Sequence, residues 1–191
     1  MQKNIILAGV GGQGILSIAA VIDQAALKAG LNIRQAEVHG MSQRGGAVQS
    51  NLRIADHEIF ADLIALGTAD LILSVEPLEA LRYLPYLGPS GRVVTSLEPF
   101  VNMPGYPPLE EILAELGKTD RPVLVHAAEL AREAGSARAS NMVMLGAAAP
   151  FTGIEPEKLE ESIEALFGAK GREVVDINIR AFRKGLQLSN T

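Results

Sequence analysis

Gly9, Gly11 and Gly14 stand at G-x-G-x-x-G spacing in the stretch Gly9-Val-Gly-Gly-Gln-Gly14. Glycines at this spacing let a backbone turn sharply and come close to a ligand. The free N–H groups and the positive end of a following helix then favour an anion. Gly9, Gly11, Gly12, Gln13 and Gly14 are therefore the first candidate binding or docking residues. The second candidates are His39, Gly40, Met41, Ser42, Gln43, Arg44, Gly45 and Gly46, a polar loop with three glycines and one arginine. Arg44 offers a planar fork to phosphate or carboxylate. Glu37 lies about twenty residues beyond the first glycines, where a carboxylate could hold an adenosine ribose. The simpler reading is an ordinary strand-end glutamate. His39, His57 and His126 are scattered and lack metal-ligand spacing. We find no catalytic triad, no general acid/base pair, and therefore no catalytic or metal residue to name.

The elements that position these residues follow from periodicity. Ile5 to Ala8 is a short apolar run suited to a buried strand. Ile15, Ile18, Ala19, Ile22, Ala25, Ala26 and Ala29 then form one apolar stripe, which predicts a helix over about 12–29 closed by Gly30. Strand, glycine turn and helix in that order is the context a dinucleotide fingerprint requires, although the same glycines also serve tight strand–helix packing. Residues 32–38 and 47–54 read as strands, the latter with a period of two. The loop between them is too short for a parallel crossover, so the third strand is expected to run antiparallel to a neighbour. A turn at Asp56-His57 should lead to a short partner strand beginning near Glu58.

Further strands are expected at 69–75, 92–96 and 122–125. Helices are expected from Pro77 to about Gly88, over 110–116 and over 127–134. Gly88-Pro-Ser-Gly91 reads as a turn and 98–108, with four prolines, as a loop. From about 140 to 188 the chain reads as helical, with the glutamates of 155–164 on a solvated face and Met142 and Met144 in the core. The fold class is α/β: a Rossmann-like three-layer domain with a mixed, mostly parallel sheet and a helical C-terminal portion, one domain over 1–191. In such a sheet the two glycine-rich loops end the first two strands on one edge, where ligands and partners bind.

Composition narrows the classes. Hydrophobic residues are 48% of 191 and charged residues 20%, enough for a real core. The net charge of −5 argues against nucleic acid or an acidic membrane as partner. No cysteine is present, so the chain has no disulfide, no thiol nucleophile and no thiolates for an iron–sulfur cluster. The apolar run near the N-terminus, about five residues, is shorter than the ~7–15 of a signal peptide core. No membrane span is visible, and a cytoplasmic location is expected.

Three motifs in order carry a resemblance: Gly9 to Gly14, Glu37-Val-His-Gly-Met-Ser-Gln-Arg-Gly-Gly46, and Ala69-Asp-Leu-Ile-Leu-Ser-Val-Glu-Pro-Leu-Glu-Ala80. The chain resembles the gamma-type domain of 2-oxoacid:ferredoxin oxidoreductases over nearly its whole length. The stretch Ser140-Asn-Met-Val-Met-Leu-Gly-Ala147 looks most like the small (beta) subunits of indolepyruvate enzymes. The resemblance implies oxidative decarboxylation of an aryl 2-oxoacid, with coenzyme A as acyl acceptor and ferredoxin as electron acceptor. It implies thiamine diphosphate, Mg and iron–sulfur clusters on a large partner subunit and no cofactor held by this chain alone. It leaves a homodimer open for the isolated chain. A stand-alone NAD(P)- or flavin-binding reductase and a non-catalytic interaction module are the alternatives.

Overall fold

The computed structural model describes residues 1–39 and 46–189, and only the backbone of His39. Ile5 to Ala8 are fully buried in the middle of β1 (Gln2–Val10). Chain reversal at the glycine loop leads into α1 (Ile15–Lys28), whose apolar stripe packs on the sheet. Gly30, at φ 75°, closes it as the stripe predicts. The Gly30 N–H donates to the Leu27 carbonyl and the Leu31 N–H to Ala26, both at 3.0 Å. β2 (Asn32–His39) and β3 (Ala47–Ala55) follow, then β4 (Ala69–Ser74), α2 (Pro77–Arg82), β5 (Leu87–Ser96) and α3 (Leu109–Leu116). β6 (Val123–Val125), α4 (Ala127–Ala134), α5 (Ser140–Thr152), α6 (Pro156–Phe167) and α7 (Arg172–Leu188) complete the described chain. No helix among the described residues is long and apolar enough to cross a membrane.

The six strands lie in the order β2-β3-β1-β4-β5-β6. β1, β4, β5 and β6 are mutually parallel. β3 runs antiparallel to both its neighbours, pairing Gln2 with Ala55 and Val10 with Ala47 on one side and Asn32 with Ala55 and His39 with Val48 on the other. The sheet is thus mixed and mostly parallel, as expected. Helices cover both faces. On the first face Ile5, Leu7, Leu52, Leu71, Leu73 and Val94 meet α1 and α4 to α7. On the second, Ile6, Ala8, Ile72 and Val93 meet α2 and α3.

Four expectations need correction. α1 starts at Ile15 rather than Gly12, because Gly12 and Gly14 take positive φ values of 99° and 80° that no α-helix contains. No short partner strand begins near Glu58. β3 is enclosed by β1 and β2, so it has no free edge for a hairpin partner, and residues 56–68 instead cross the second face without regular pairing. α2 ends at Arg82, and a short 3-10 turn over Leu84–Tyr86 follows in place of further α-helix. Gly88 to Gly91 belongs to the start of β5, where the register against β4 slips; a Cβ on Gly91 would lie 2.5 Å from the Ala69 carbonyl oxygen.

The C-terminal portion is organised by α5. Met142 to Ala149 are buried on every side, the sheet beneath and α7 above. α5 and α7 touch backbone to backbone. A Cβ on Gly146 would lie 1.9 Å from the Phe182 carbonyl oxygen, and one on Gly185 would lie 1.9 Å from that of Val143. On an exposed helix Gly→Ala is worth up to about 1 kcal/mol of added stability. Here the sign reverses: Gly146→Ala and Gly185→Ala should each destabilise by about 3 kcal/mol, read as a lower denaturant midpoint at unchanged m-value.

Candidate functional site

The loop ending β1 is built on Gln13. Its side-chain oxygen accepts from the Val10 N–H (2.7 Å), its own N–H donates to the Val10 carbonyl (3.2 Å), and its Nε2 reaches the Val75 carbonyl beyond β4 (3.4 Å). The Gly11 N–H donates to the Gly46 carbonyl (2.9 Å), so the two glycine-rich stretches meet at the carboxyl edge. Gly9 and Gly14 serve close packing. A Cβ on Gly9 would lie 2.4 Å from Val75 Cγ2, and one on Gly14 would lie 2.5 Å from Asn141 Nδ2. Gly12 faces open space. The amides of Gly12, Gly14, Ile15 and Leu16 donate to no group among the described residues, which leaves the positive end of α1 available. His39 ends β2 on the same edge; Gly40, Met41, Ser42, Gln43, Arg44 and Gly45 lie outside the described residues.

Sheet topology explains why a crevice opens here. α1 leaves β1 toward the first face, and α2 leaves β4 toward the second, so their connections diverge at the β1–β4 junction. Crevices at such switch points are where open α/β sheets bind ligands. The crevice has a volume of about 570 Å³ and is lined by Gly12, Gln13, Gly14, Val75, Ser96, Glu98, Ala127, Ala128, Arg138, Ser140, Asn141 and Met144, among others. A second hollow of about 460 Å³ shares Gly14, Arg138 and Asn141 with it and adds Ser17, Lys170 and Asn178.

Arg138 is exposed, and its guanidinium has no partner among the described residues. Lys170 lies over the Phe167 ring at 5.1 Å. Asn141 donates from Nδ2 to the Gly14 carbonyl (3.3 Å), tying the start of α5 to the glycine loop. On the far wall Glu98 accepts from the Ala128 N–H (3.0 Å) and from the Ser96 hydroxyl, so it caps α4 from a distance. Sequence reasoning missed Arg138, Asn141 and Glu98. Each comes from a different connection, and only the fold brings them to Gly14. The one available signal was Arg138, a cation set between two helices.

On the second-face side of the same edge stands Glu76, 1% exposed. Its carboxylate caps α2 by accepting from the Glu79 N–H (2.8 Å). It also accepts from the Phe100 N–H (3.2 Å) and the Tyr106 hydroxyl, fastening the proline-rich loop to the switch point. Burial, and then the neighbouring Glu76 carboxylate, hold the Tyr106 phenol above its ordinary range. Glu79 is also raised by burial, against the pull of Arg82 at 3.0 Å. Among the described residues no cluster of histidine, aspartate and glutamate could hold a metal ion.

Glu37 is placed differently from a ribose-binding carboxylate. It sits on β2, the edge strand, and β3 lies between β2 and β1. Two strand spacings, about 10 Å, therefore separate it from the strand that carries the glycine loop. Gln35 donates to it at 2.7 Å. Its charge also acts on Asp23 of α1, which is raised to about 6 by burial first and by Glu37 second.

The sequence matches the family profile described as pyruvate ferredoxin/flavodoxin oxidoreductase over residues 4–188. It is 41% identical to the indolepyruvate oxidoreductase subunit IorB of Methanothermobacter thermautotrophicus, over 97% of this chain and 96% of that one. The fold is similar to a 2-oxoglutarate:ferredoxin oxidoreductase from Magnetococcus marinus solved with 2-oxoglutarate, coenzyme A and succinyl-CoA bound. The TM-score is 0.77 at 26% identity, over 99% of this chain but 31% of that one. It is also similar to the pyruvate oxidoreductase subunit PORC of Thermotoga maritima, with TM-score 0.76 and 24% identity, over 97% of this chain and 96% of that one.

Two measurements test this geometry. Between the ordinary 3.8 and about 6, the unfolded chain gives up the Asp23 proton before the folded chain does. Stability therefore falls as pH rises through that window, and the full cost is present above it. Asp23→Asn should raise unfolding stability at neutral pH by about 1–2 kcal/mol, allowing for solvent screening on the accessible side, with no gain below the ordinary value. Tyr106→Phe removes a hydrogen bond to a buried carboxylate. It should cost about 1.5–3 kcal/mol and speed amide exchange selectively at Phe100.

Proposed function

The chain belongs to the pyruvate ferredoxin/flavodoxin oxidoreductase family, and from that footing we propose that it is the small, accessory subunit of an indolepyruvate ferredoxin oxidoreductase. The observation that carries the reading is its likeness to the IorB subunit along nearly the whole of both chains. The complex converts an aryl 2-oxoacid and coenzyme A to acyl-CoA and carbon dioxide, and passes two electrons to ferredoxin. The whole chain acts as one gamma-type domain in a cytoplasmic enzyme. With no cysteine it offers no thiolate to a cluster. Thiamine diphosphate, Mg and the iron–sulfur clusters then belong to the large subunit, and this chain is inactive alone.

Its own contribution lies at the carboxyl edge. Coenzyme A carries phosphates, and the crevice lining offers the Gly12 and Gly14 amides and the Arg138 guanidinium, none of which has a partner among the described residues. Arg44 lies outside the described residues; the sequence alone offers it as a second fork for phosphate. A nicotinamide- or flavin-dependent reductase is less well supported, because the carboxylate at Glu37 stands two strands away from the glycine loop.

The test is co-expression with the large subunit and assay of 2-oxoacid-dependent ferredoxin reduction. The wild-type pair should prefer aryl 2-oxoacids and should show no activity when either chain is omitted. Arg138→Ala and Arg44→Ala should each raise the KM for coenzyme A about tenfold, the equivalent of ~1.4 kcal/mol, with the KM for the 2-oxoacid unchanged. Unaltered coenzyme A kinetics in both variants would remove the phosphate-binding edge. A dinucleotide-induced rise in Tm of the isolated chain would favour the reductase.

A further inference from the structure

We infer that the second face of the sheet over β2 and β3, with Phe60, Leu63 and Leu66 at its surface, is a docking face for the large subunit. This face lies on the other side of the sheet from the crevice lined by Gly14 and Asn141, and the inference rests on the subunit reading above. In a three-layer domain helices cover both faces of the sheet. Here α2 and α3 cover β1, β4 and β5 on the second face, while over β2 and β3 no helix is present among the described residues. Residues 56–68 cross that space instead.

The crossing segment is held from below. Arg34 of β2 donates to the Ile59 carbonyl (3.2 Å), Arg53 of β3 to the Ala61 carbonyl (2.8 Å), and the buried Asn51 accepts from the Ile64 N–H (3.2 Å). Ile59 and Ile64 point inward at 5% and 4% exposure. Between and beyond these anchors Phe60, Leu63 and Leu66 point outward at 88%, 63% and 66%. Val38, 56% exposed, belongs to the same face of β2 as Arg34 by strand alternation. Three large apolar side chains within seven residues, fixed by guanidinium-to-carbonyl bonds, form a built surface rather than scattered exposure. An exposed aromatic on a rigid support is the kind of residue that anchors an interface.

The occupant is the large subunit rather than a second copy. The same domain occurs as a nearly complete chain in one relative and as about a third of a much longer chain in another. A domain found both fused and separate has a standing companion, and permanent interfaces of this kind are the apolar ones. Charge points the same way. Glu58 and Asp62 are exposed at the rim, and Arg34 is already engaged with Asp62 (3.8 Å) and Ile59. A second copy would bring the same acidic rim and another −5 chain against itself. The fitting partner presents an apolar socket with lysine or arginine around it.

The test uses Phe60→Ser combined with Leu63→Ser in the chain co-expressed with a tagged large subunit, with Leu27→Ser as control. Leu27 is equally exposed at 65%, but lies on α1 on the opposite face. The double variant should fall at least tenfold in recovery with the large subunit, while the Tm of the isolated chain stays within a degree or two of wild type (~2 °C). The control should assemble like wild type. Wild-type recovery of the double variant overturns the inference, as does equal loss in the Leu27 control. Conversion of an isolated-chain dimer to monomer with the large subunit still bound also overturns it, in favour of a second copy. Failure of the wild-type chain itself to bind the large subunit brings down the functional reading, and this inference with it.

Discussion

The closeness of α5 to α7 is the constraint on which the rest of the C-terminal half depends. Gly146 and Gly185 each leave room for the other helix's backbone. With α7 so near, α5 can lie buried between it and the sheet although its own residues are mostly small. Its position then sets Asn141, which reaches the Gly14 carbonyl, and so sets the wall of the crevice. A helix of larger residues would stand further from α7 and would lift Asn141 and Arg138 away from α1. The site's shape thus depends in part on Gly146, which lies five residues along α5 from Asn141 and does not itself line the crevice.

The antiparallel insertion of β3 decides what the glycine motif does. In a fully parallel dinucleotide-binding unit the strand beside β1 supplies the ribose carboxylate. Here that place is taken by β3, and the candidate carboxylate moves to the sheet edge. The glycines keep their packing roles: Gly9 admits Val75 and Ile15, and Gly14 admits Asn141. What remains chemically open is the set of free amides at the start of α1. The motif therefore serves strand–helix packing first and leaves amides without an acceptor among the described residues, but not the second half of a nucleotide site.

Much of this was legible in the sequence because it depends on local signals. Buried runs at Ile5–Ala8 and 69–75, the α1 stripe with Gly30 behind it, and the small apolar α5 all follow from period and punctuation. The antiparallel direction of β3 followed from the short loop before it. What failed was non-local. The strand expected near Glu58 needs a free edge, and strand order, not residue pattern, removes it. Gly88 to Gly91 looks like a turn because glycines mark turns and close approaches alike. Only the 2.5 Å clearance at Ala69 distinguishes the two. Asn141, Glu98 and Glu76 carry no local mark, and Arg138 only that of a cation between two helices; only the fold brings them to one edge.

The distribution of polar and apolar surface then makes physical sense. The carboxyl edge concentrates amides and a guanidinium without partners among the described residues, beside the helix-capping carboxylates of the buried Glu76 and the part-buried Glu98, so its surface is polar. Over β2 and β3 the segment 56–68, in place of a helix, presents Phe60 and Leu63 on the second face, where Arg53 also meets Asn4. Burying an apolar face there against another protein covers neither the crevice nor the free end of α1. A subunit that lends part of an active site needs this separation. On the proposed reading, the contact that holds the subunits together is permanent, whereas the edge offered to coenzyme A has to stay accessible to it. Had both lain at the carboxyl edge, tight association would have excluded the ligand that the same residues are arranged to meet.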